Sequence, residues 1–236
     1  MAWSPAGSGR PRVAICIPTK DKVSIDWSFA FAHLVQSAGV ELGLFHRGHF
    51  EIDYARNDLV DDSLRNKFTH TFFLDSDIYP YQWGFDKEQN TVTAPFHDVI
   101  PWLLQFEYPI VSGLYWTKPG RSNLGVLRDD AFTLDNVIID LKEAIGRWLY
   151  VDAVAIGFCL IDNRVFDKVP YPWFHYFRSP RKPDGGFDEL SEDYYFFRKA
   201  TQAGFPVLAL GQAIALHEGR VFHTWGGDAR AALPMP

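Results

Sequence analysis

Thr71-Phe72-Phe73-Leu74-Asp75-Ser76-Asp77 is a short apolar run closed by two carboxylates with one residue between them. A run of that length bounded by polar residues predicts a buried strand. Asp75 then stands at the carboxyl end, where open α/β sheets form their ligand crevice. Past the strand the chain turns, so strand alternation no longer separates Asp75 from Asp77. Both carboxylates can then face one hard divalent cation, which takes oxygen ligands and keeps waters and phosphates in its shell. Asp and Ser are also ordinary turn formers after a strand. The motif gains chemical meaning only from what surrounds it.

Outward from that run, strands and helices alternate. Val13–Pro18 reads as an opening buried strand, Ile25–Ala38 as a helix stopped at Gly39, and Val40–Phe45 as a second strand. Glu51–Lys67, polar and mixed in sign, reads as the helix that leads into the Asp75 strand. Phe96–Phe106 reads as a helix after Pro95, and Pro109–Tyr115 as another buried strand. This order predicts an α/β fold with a mostly parallel, Rossmann-like sheet flanked by helices.

The second half is less regular. Lys118–Asp130 reads as loop, Val137–Ile145 as a short helix and Gly157–Ile161 as a strand. Pro170–Asp188 is rich in Pro, Gly, aromatics and Arg, and a loop of that length inside a domain is more often functional than accidental. Ser191 opens a helix that runs to Ala203 and stops at Gly204, followed by short strands at Pro206–Leu210 and Ala213–Leu216. Without a repeat or a linker, one domain is expected over residues 13–225. Its nucleotide-binding half spans 13–116 and its acceptor-facing half 117–225, between flexible tails at 1–12 and 226–236.

Composition sets the bounds. The chain has 236 residues, nearly half of them apolar, enough for a sizeable core. A formal charge of −6 argues against a nucleic-acid backbone as the main partner. It leaves room for a nucleotide, because a metal can bridge a diphosphate to an acidic protein. Cys16 and Cys159, the two cysteines, lie in apolar runs without metal-ligand spacing and read as buried reduced thiols. The opening has no apolar stretch of signal-peptide type, and the longest apolar run, Val151–Ile161, is too short to span a bilayer. Cytoplasmic residence is the expectation.

Three further features accompany Asp75 and Asp77. Glu192 and Asp193 occupy the first turn of a helix behind Ser191, where the dipole and free amides stabilise acids. His217 ends the last apolar strand, and an imidazole can complete a metal shell begun by carboxylates. Arg56-Asn57 precedes the Asp75 strand, where a guanidinium fork could pair with phosphate. His223 competes with His217, but its neighbours Val221-Phe222 and Thr224-Trp225 read as packing. Tyr171, Trp173, His175, Tyr176 and Phe177, with Trp116, could offer an aromatic platform to a sugar face, though packing of the second half explains most of them better.

In that order, the sequence resembles the family 2-like glycosyltransferases of the GT-A fold. The resemblance rests on Ile17-Pro18-Thr19, Ala55-Arg56-Asn57, Phe73-Leu74-Asp75-Ser76-Asp77, Ala155–Ile161 with Gly157, Glu192-Asp193 with Arg198 and Gly204, and His217. It covers roughly residues 13 to 220 and is carried by the ordered set. It implies sugar transfer from a nucleotide-diphosphate sugar to a saccharide or other hydroxyl acceptor, with Mn²⁺ or Mg²⁺ on the diphosphate. It implies donor contacts from Pro18, Thr19, Arg56, Asp75, Ser76, Asp77 and Gly157, and metal ligands Asp75, Asp77 and His217. Asp193 becomes the general base of an inverting transfer and Glu192 orients the acceptor or the helix start; the aromatic cluster itself offers Trp116, Trp173 and Tyr176 as acceptor contacts. One departure stands out. Many relatives carry an acidic cluster after the second strand, where this chain has Leu44-Phe45-His46-Arg47-Gly48.

Other functions fit parts of the pattern. An apolar run into Asp-x-Asp also describes the nucleophile strand of haloacid-dehalogenase-like phosphatases, but that strand usually opens the domain. A sugar nucleotidyltransferase would need a glycine-rich basic loop for a triphosphate, which the opening lacks. A carbohydrate-binding module would use the metal only structurally, and would not turn over a nucleotide sugar.

Overall fold

Strict alternation along the first strand divides the core in two. In β1 (Arg12–Pro18), Val13, Ile15 and Ile17 join one apolar cluster, and Ala14 and Cys16 join another on the opposite face of the sheet. The computed structural model describes residues 9–19, 22–48, 51–86, 91–96, 98–118, 121–122, 124–125, 144, 147–178, 180 and 189–217. Of these, 80–86, 91–96, 116–118, 121–122, 124–125, 214 and 216 are described in backbone alone.

The strands that build the main sheet are β1, β2 (Glu41–Arg47), β3 (His70–Leu74), β4 (Ile78–Asp86), β5 (Thr91–Phe96) and β6 (Ile110–Leu114) from the first half. Short pieces follow at β7 (Trp116–Lys118), β8 (Arg121–Ser122) and β9 (Leu124–Gly125), then β10 (Trp148–Val151) and β11 (Ala153–Val154). β12 (Phe158–Asp162), β13 (Phe177–Arg178), β14 (Glu189–Leu190) and β15 (Val207–His217) complete the set. The sheet order is β2-β1-β3-β12-β6-β15-β4-β5, with β10 paired to β15. β1, β2, β3, β5, β6 and β15 run one way, and β4, β10 and β12 the other. The fold is α/β, with a central sheet between helices.

Helices α1 (Ile25–Ser37) and α3 (Val99–Leu104) cover one face through Trp27, Ala30, Leu34, Val99, Ile100 and Leu103. α2 (Ile52–Arg65) and α5 (Glu192–Gln202) cover the other through Leu59, Val60, Phe196, Phe197 and Ala200. The short α4 (Arg164–Lys168) adds Val165 and Phe166 to that side. Phe72 and Phe73 show the division directly. Phe72 packs edge-on to Phe158 at 5.5 Å, and Phe73 packs edge-on to Phe174 at 5.4 Å. Each fully buried phenylalanine contributes about 1.5–3 kcal/mol by leaving water.

Local signals act where expected. Ser24 caps α1 by accepting the Trp27 amide at 3.0 Å, and Gly39, at φ +63°, takes the left-handed turn that ends it. Trp27 also donates its indole N–H to the Ile78 carbonyl at 2.8 Å, which ties α1 to the segment behind Asp77.

Four expectations need correction. The expected turn after Asp77 leads into a hairpin, β4 and β5, which contains Pro80 and Pro95. Both prolines lie where the backbone pairing shifts register, and β5 is the outermost strand of the path, so their missing N–H groups are tolerated. As a result the following helix begins at Val99 rather than Phe96. The two final strands are one, β15, whose irregularity between Leu210 and Ile214 falls at the expected gap between them. The stretch from Lys118 holds antiparallel pairs β7–β8 and β9–β11 rather than pure loop. The helix expected at Val137–Ile145 lies outside the described residues except for Ala144, as do His223 and the C-terminal tail. Among the described residues, no helix is long and apolar enough to cross a membrane.

Candidate active site

The topology gathers the marked residues at one end of the sheet. β3 delivers Asp75 to its carboxyl end. β12 runs antiparallel beside β3, so its start lies where β3 stops, and the Asp75 amide donates to the Gly157 carbonyl at 3.0 Å. A Cβ on Gly157 would lie 2.5 Å from Asp75 Oδ2, so only glycine lets the carboxylate settle there. Asp75, Ser76 and Asp77 then turn the chain, closed by an Ile78 N–H to Asp75 carbonyl bond of 3.0 Å. β15 runs antiparallel to β4 with His217 opposite Ile78, which brings the imidazole beside Asp77. Nε2 of His217 and Oδ2 of Asp77 are 3.3 Å apart. Pro18 and Thr19 close β1 at the same end, where the Thr19 amide donates to the Arg47 carbonyl at 2.9 Å.

Arg56 is the hub. It rises from the middle of α2 and its side chain is 3% exposed. Nη1 bonds Glu192 Oε1 at 2.6 Å and also Asp193 Oδ1, and Nη2 lies 3.3 Å from both oxygens of Asp75. The guanidinium fork expected for a phosphate is therefore occupied by three carboxylates. Burial alone would lower its pKa, and the carboxylates overcome that and raise it. Its Nε–H has no hydrogen-bond partner among the described residues.

One guanidinium cannot balance three acids. Burial pushes the Asp193 carboxyl up to about 8; Arg56 opposes the shift, and Glu192 and Asp75 add to it. Burial likewise raises Asp75, with Arg56 opposing and Asp77 adding. Asp193 keeps Oδ1 on Arg56 and takes the Ile156 amide on Oδ2 at 3.3 Å. Ser191 occupies the N-cap position of α5 as expected, yet its side chain makes no capping bond. The first-turn acids are held by Arg56 across the fold as well as by their own helix.

The aromatic residues separate. Trp173 is buried, its indole N–H donated to the Phe166 and Val169 carbonyls at 3.1 and 3.0 Å, so it packs the core and offers no platform. Tyr176 is exposed. Burial of its hydroxyl and the adjacent Glu192 raise that group to about 12. Trp116 begins β7, and its side chain lies outside the described residues.

Asp53 and Tyr115 escaped the sequence, and Asn57 was marked only as the neighbour of Arg56. Asp53 and Asn57, one helical turn apart on α2, grip the segment 173–176. Asn57 accepts from the Trp173 and Phe174 amides at 3.0 and 3.2 Å and donates to the Phe174 carbonyl at 2.8 Å, and Asp53 accepts from the Tyr176 amide at 3.3 Å. Tyr115, just past β6, is 3% exposed and accepts the Gly157 amide at 3.0 Å. Its place beyond an apolar strand, at the same sheet end as Asp75, is the only sequence signal it gave. Arg47, in the stretch where the resemblance led to the expectation of an acidic cluster, is bound to Asp62 and faces Asp58 at 3.8 Å.

Among the described residues, no group of three His, Cys, Asp or Glu side chains encloses a metal position. The expected trio divides, with Asp75 turned to Arg56 and Asp77 paired with His217. The latter pair still suits an ion. Cis ligands of an octahedral cation at about 2.1 Å lie roughly 3 Å apart, close to the 3.3 Å between Asp77 and His217. Oxygen plus imidazole is a donor set that a Mn²⁺-type ion accepts, and the carboxylate of Asp77 is half exposed. Diphosphate and water would supply the rest of such a shell.

Comparison with known proteins agrees on the fold. No protein-family model matches the sequence, and a search of curated proteins finds no match. Among solved structures, A197 from STIV aligns over 88% of this chain and 86% of its own, with TM-score 0.54 and 18% identity. GalNAc-T7, solved with UDP, GalNAc and Mn²⁺, aligns over 88% of this chain with TM-score 0.52 and 9% identity. This chain spans 44% of that GalNAc-T7 chain. The fold is GT-A-like. The narrower likeness to family 2 has no support from these neighbours.

Proposed function

We propose that the chain is a glycosyltransferase that moves a sugar from a nucleotide-diphosphate sugar to an acceptor hydroxyl, with Mn²⁺ or Mg²⁺ and with inversion. The observation that carries this reading is the juxtaposition, at one end of a GT-A-like sheet, of an open Asp77–His217 pair and a buried carboxylate cluster around Arg56. The neighbour solved with UDP and Mn²⁺ raises the expectation of a nucleotide and a metal here.

In this reading Asp77 and His217 hold the ion on the donor side, and the Asp75–Ser76 turn lines the diphosphate. When bound, the ion supplies Lewis-acid neutralisation of the leaving diphosphate. Asp193 receives the acceptor's proton at Oδ2, the oxygen turned away from Arg56. A carboxyl raised to about 8 is a stronger base once ionised, which suits proton abstraction from a hydroxyl. Glu192, fixed by Arg56, stands beside the Tyr176 hydroxyl and steadies the ring that meets the acceptor. Arg56 itself orients three acids rather than gripping phosphate.

A thermal-shift series with UDP, GDP, ADP and CDP, each with and without Mn²⁺, tests the reading. One nucleotide should raise the melting temperature only with Mn²⁺, by the equivalent of about 2.7 kcal/mol at a hundredfold excess over Kd. Asp77→Ala should fold and lose that response. If every nucleotide is silent, or Asp77→Ala responds like the parent, the proposal is wrong.

A further inference from the structure

We propose that Tyr115 is a positioning residue that ties the His217 imidazole to the Ile156–Gly157 turn beneath Asp193. The proposal rests on the functional reading above and adds the part that joins its two sides. Tyr115 lies one residue past β6, between the end of β15 and the start of β12. Its ring packs edge-on to His217 at 5.9 Å and 67°. Its hydroxyl oxygen accepts the Gly157 amide at 3.0 Å. One buried side chain therefore spans the distance between the metal-side histidine and the turn next to the base.

That turn is gripped from three directions. Tyr115 holds the Gly157 amide, the Asp75 amide holds the Gly157 carbonyl at 3.0 Å, and Asp193 Oδ2 receives the Ile156 amide at 3.3 Å. A Cβ on Gly157 would stand 3.0 Å from the Tyr115 hydroxyl as well as 2.5 Å from Asp75 Oδ2. The missing side chain lets the phenol and the carboxylate approach the same backbone. The ring and the hydroxyl thus do different work. The ring limits how the imidazole swings relative to Asp77, and the hydroxyl keeps the turn against Asp75.

Two variants separate these roles. Tyr115→Phe keeps the ring and removes the acceptor, and Tyr115→Leu removes both. Mn²⁺ binding is read alone by electron paramagnetic resonance of the free ion, and UDP with Mn²⁺ by calorimetry. Tyr115→Phe should bind Mn²⁺ within about twofold of the parent and UDP–Mn²⁺ roughly tenfold more weakly, the scale of one lost hydrogen bond. Tyr115→Leu should weaken Mn²⁺ alone by roughly tenfold as well. If Tyr115→Leu does not fold, the split within Tyr115→Phe decides. A Tyr115→Phe protein that matches the parent in both titrations, or loses both equally, overturns the proposal, as does a folded Tyr115→Leu with parental Mn²⁺ affinity. A parent that binds neither Mn²⁺ nor any of UDP, GDP, ADP and CDP fails the functional reading and this inference with it, whereas a binding parent with parental variants fails only the inference.

Discussion

Asp193 carries the sharpest consequence of the buried charge imbalance. Its carboxyl holds a proton in the fold up to about pH 8, whereas the unfolded chain releases it near the ordinary ~3.9. Between those values the folded state binds more protons, so this group lowers stability as pH rises. Asp75 is shifted in the same direction. Asp193→Asn removes the titration, and its stability relative to the parent should increase steadily from about pH 4 to about pH 8 in denaturant melts. Sugar transfer by the same variant should fall by roughly 100-fold or more, while parental transfer rises through about pH 8. A constant stability difference across pH would show that another group titrates. Undiminished transfer would place the base elsewhere. The motif acids were legible residue by residue because Asp-x-Asp and Glu-Asp each follow a clear element signal. Their common partner was not, since Arg56 and Asp193 are 137 positions apart and nothing local reports such a contact.

At the scale of elements, periodicity located β1, β3, β6, β12 and the helices α1, α2 and α5 to within a few residues. It failed where tertiary context overrides local preference. Pro80 and Pro95 argue against strands, yet pairing shifts and an outer strand accommodate them. The pattern gave two strands, Pro206–Leu210 and Ala213–Leu216, where a single irregular one runs through. The segment 170–176, read as loop, is loop in pairing but held fast by side chains. Asn57 meets three backbone groups there, and Lys199 donates to the Pro170 carbonyl and, at 2.7 Å, to the Pro172 carbonyl. Asn57→Ala leaves buried backbone groups of Trp173 and Phe174 without partners. It should cost at least about 2 kcal/mol in chemical unfolding. A cost below about 0.5 kcal/mol would mean that water replaces the amide and that the segment is not clamped by α2.

Across the whole molecule, direction of strands explains why one end of the sheet is chemical. Parallel β1 and β3 bring Pro18 and Asp75 to the same end, and β6 and β15 end there too, with Tyr115 and His217. Antiparallel β12 and β4 begin where those strands finish, which supplies Gly157 and the Asp77 turn. Residues from both halves of the chain thus meet across the sheet. The likeness to A197 and GalNAc-T7 extends over most of this chain at low identity, which fixes architecture and leaves chemistry to the site. Phosphorus NMR of the protein with UDP-, GDP-, ADP- and CDP-sugars and Mn²⁺ tests the proposed metal-dependent cleavage of a nucleotide sugar. One donor should yield its nucleoside diphosphate, slowly with water alone and faster with a hydroxyl acceptor, with no conversion under chelator or in Asp77→Ala. Conversion that persists under chelator and in Asp77→Ala, or a full set of donors unchanged after prolonged incubation with acceptors, would contradict it.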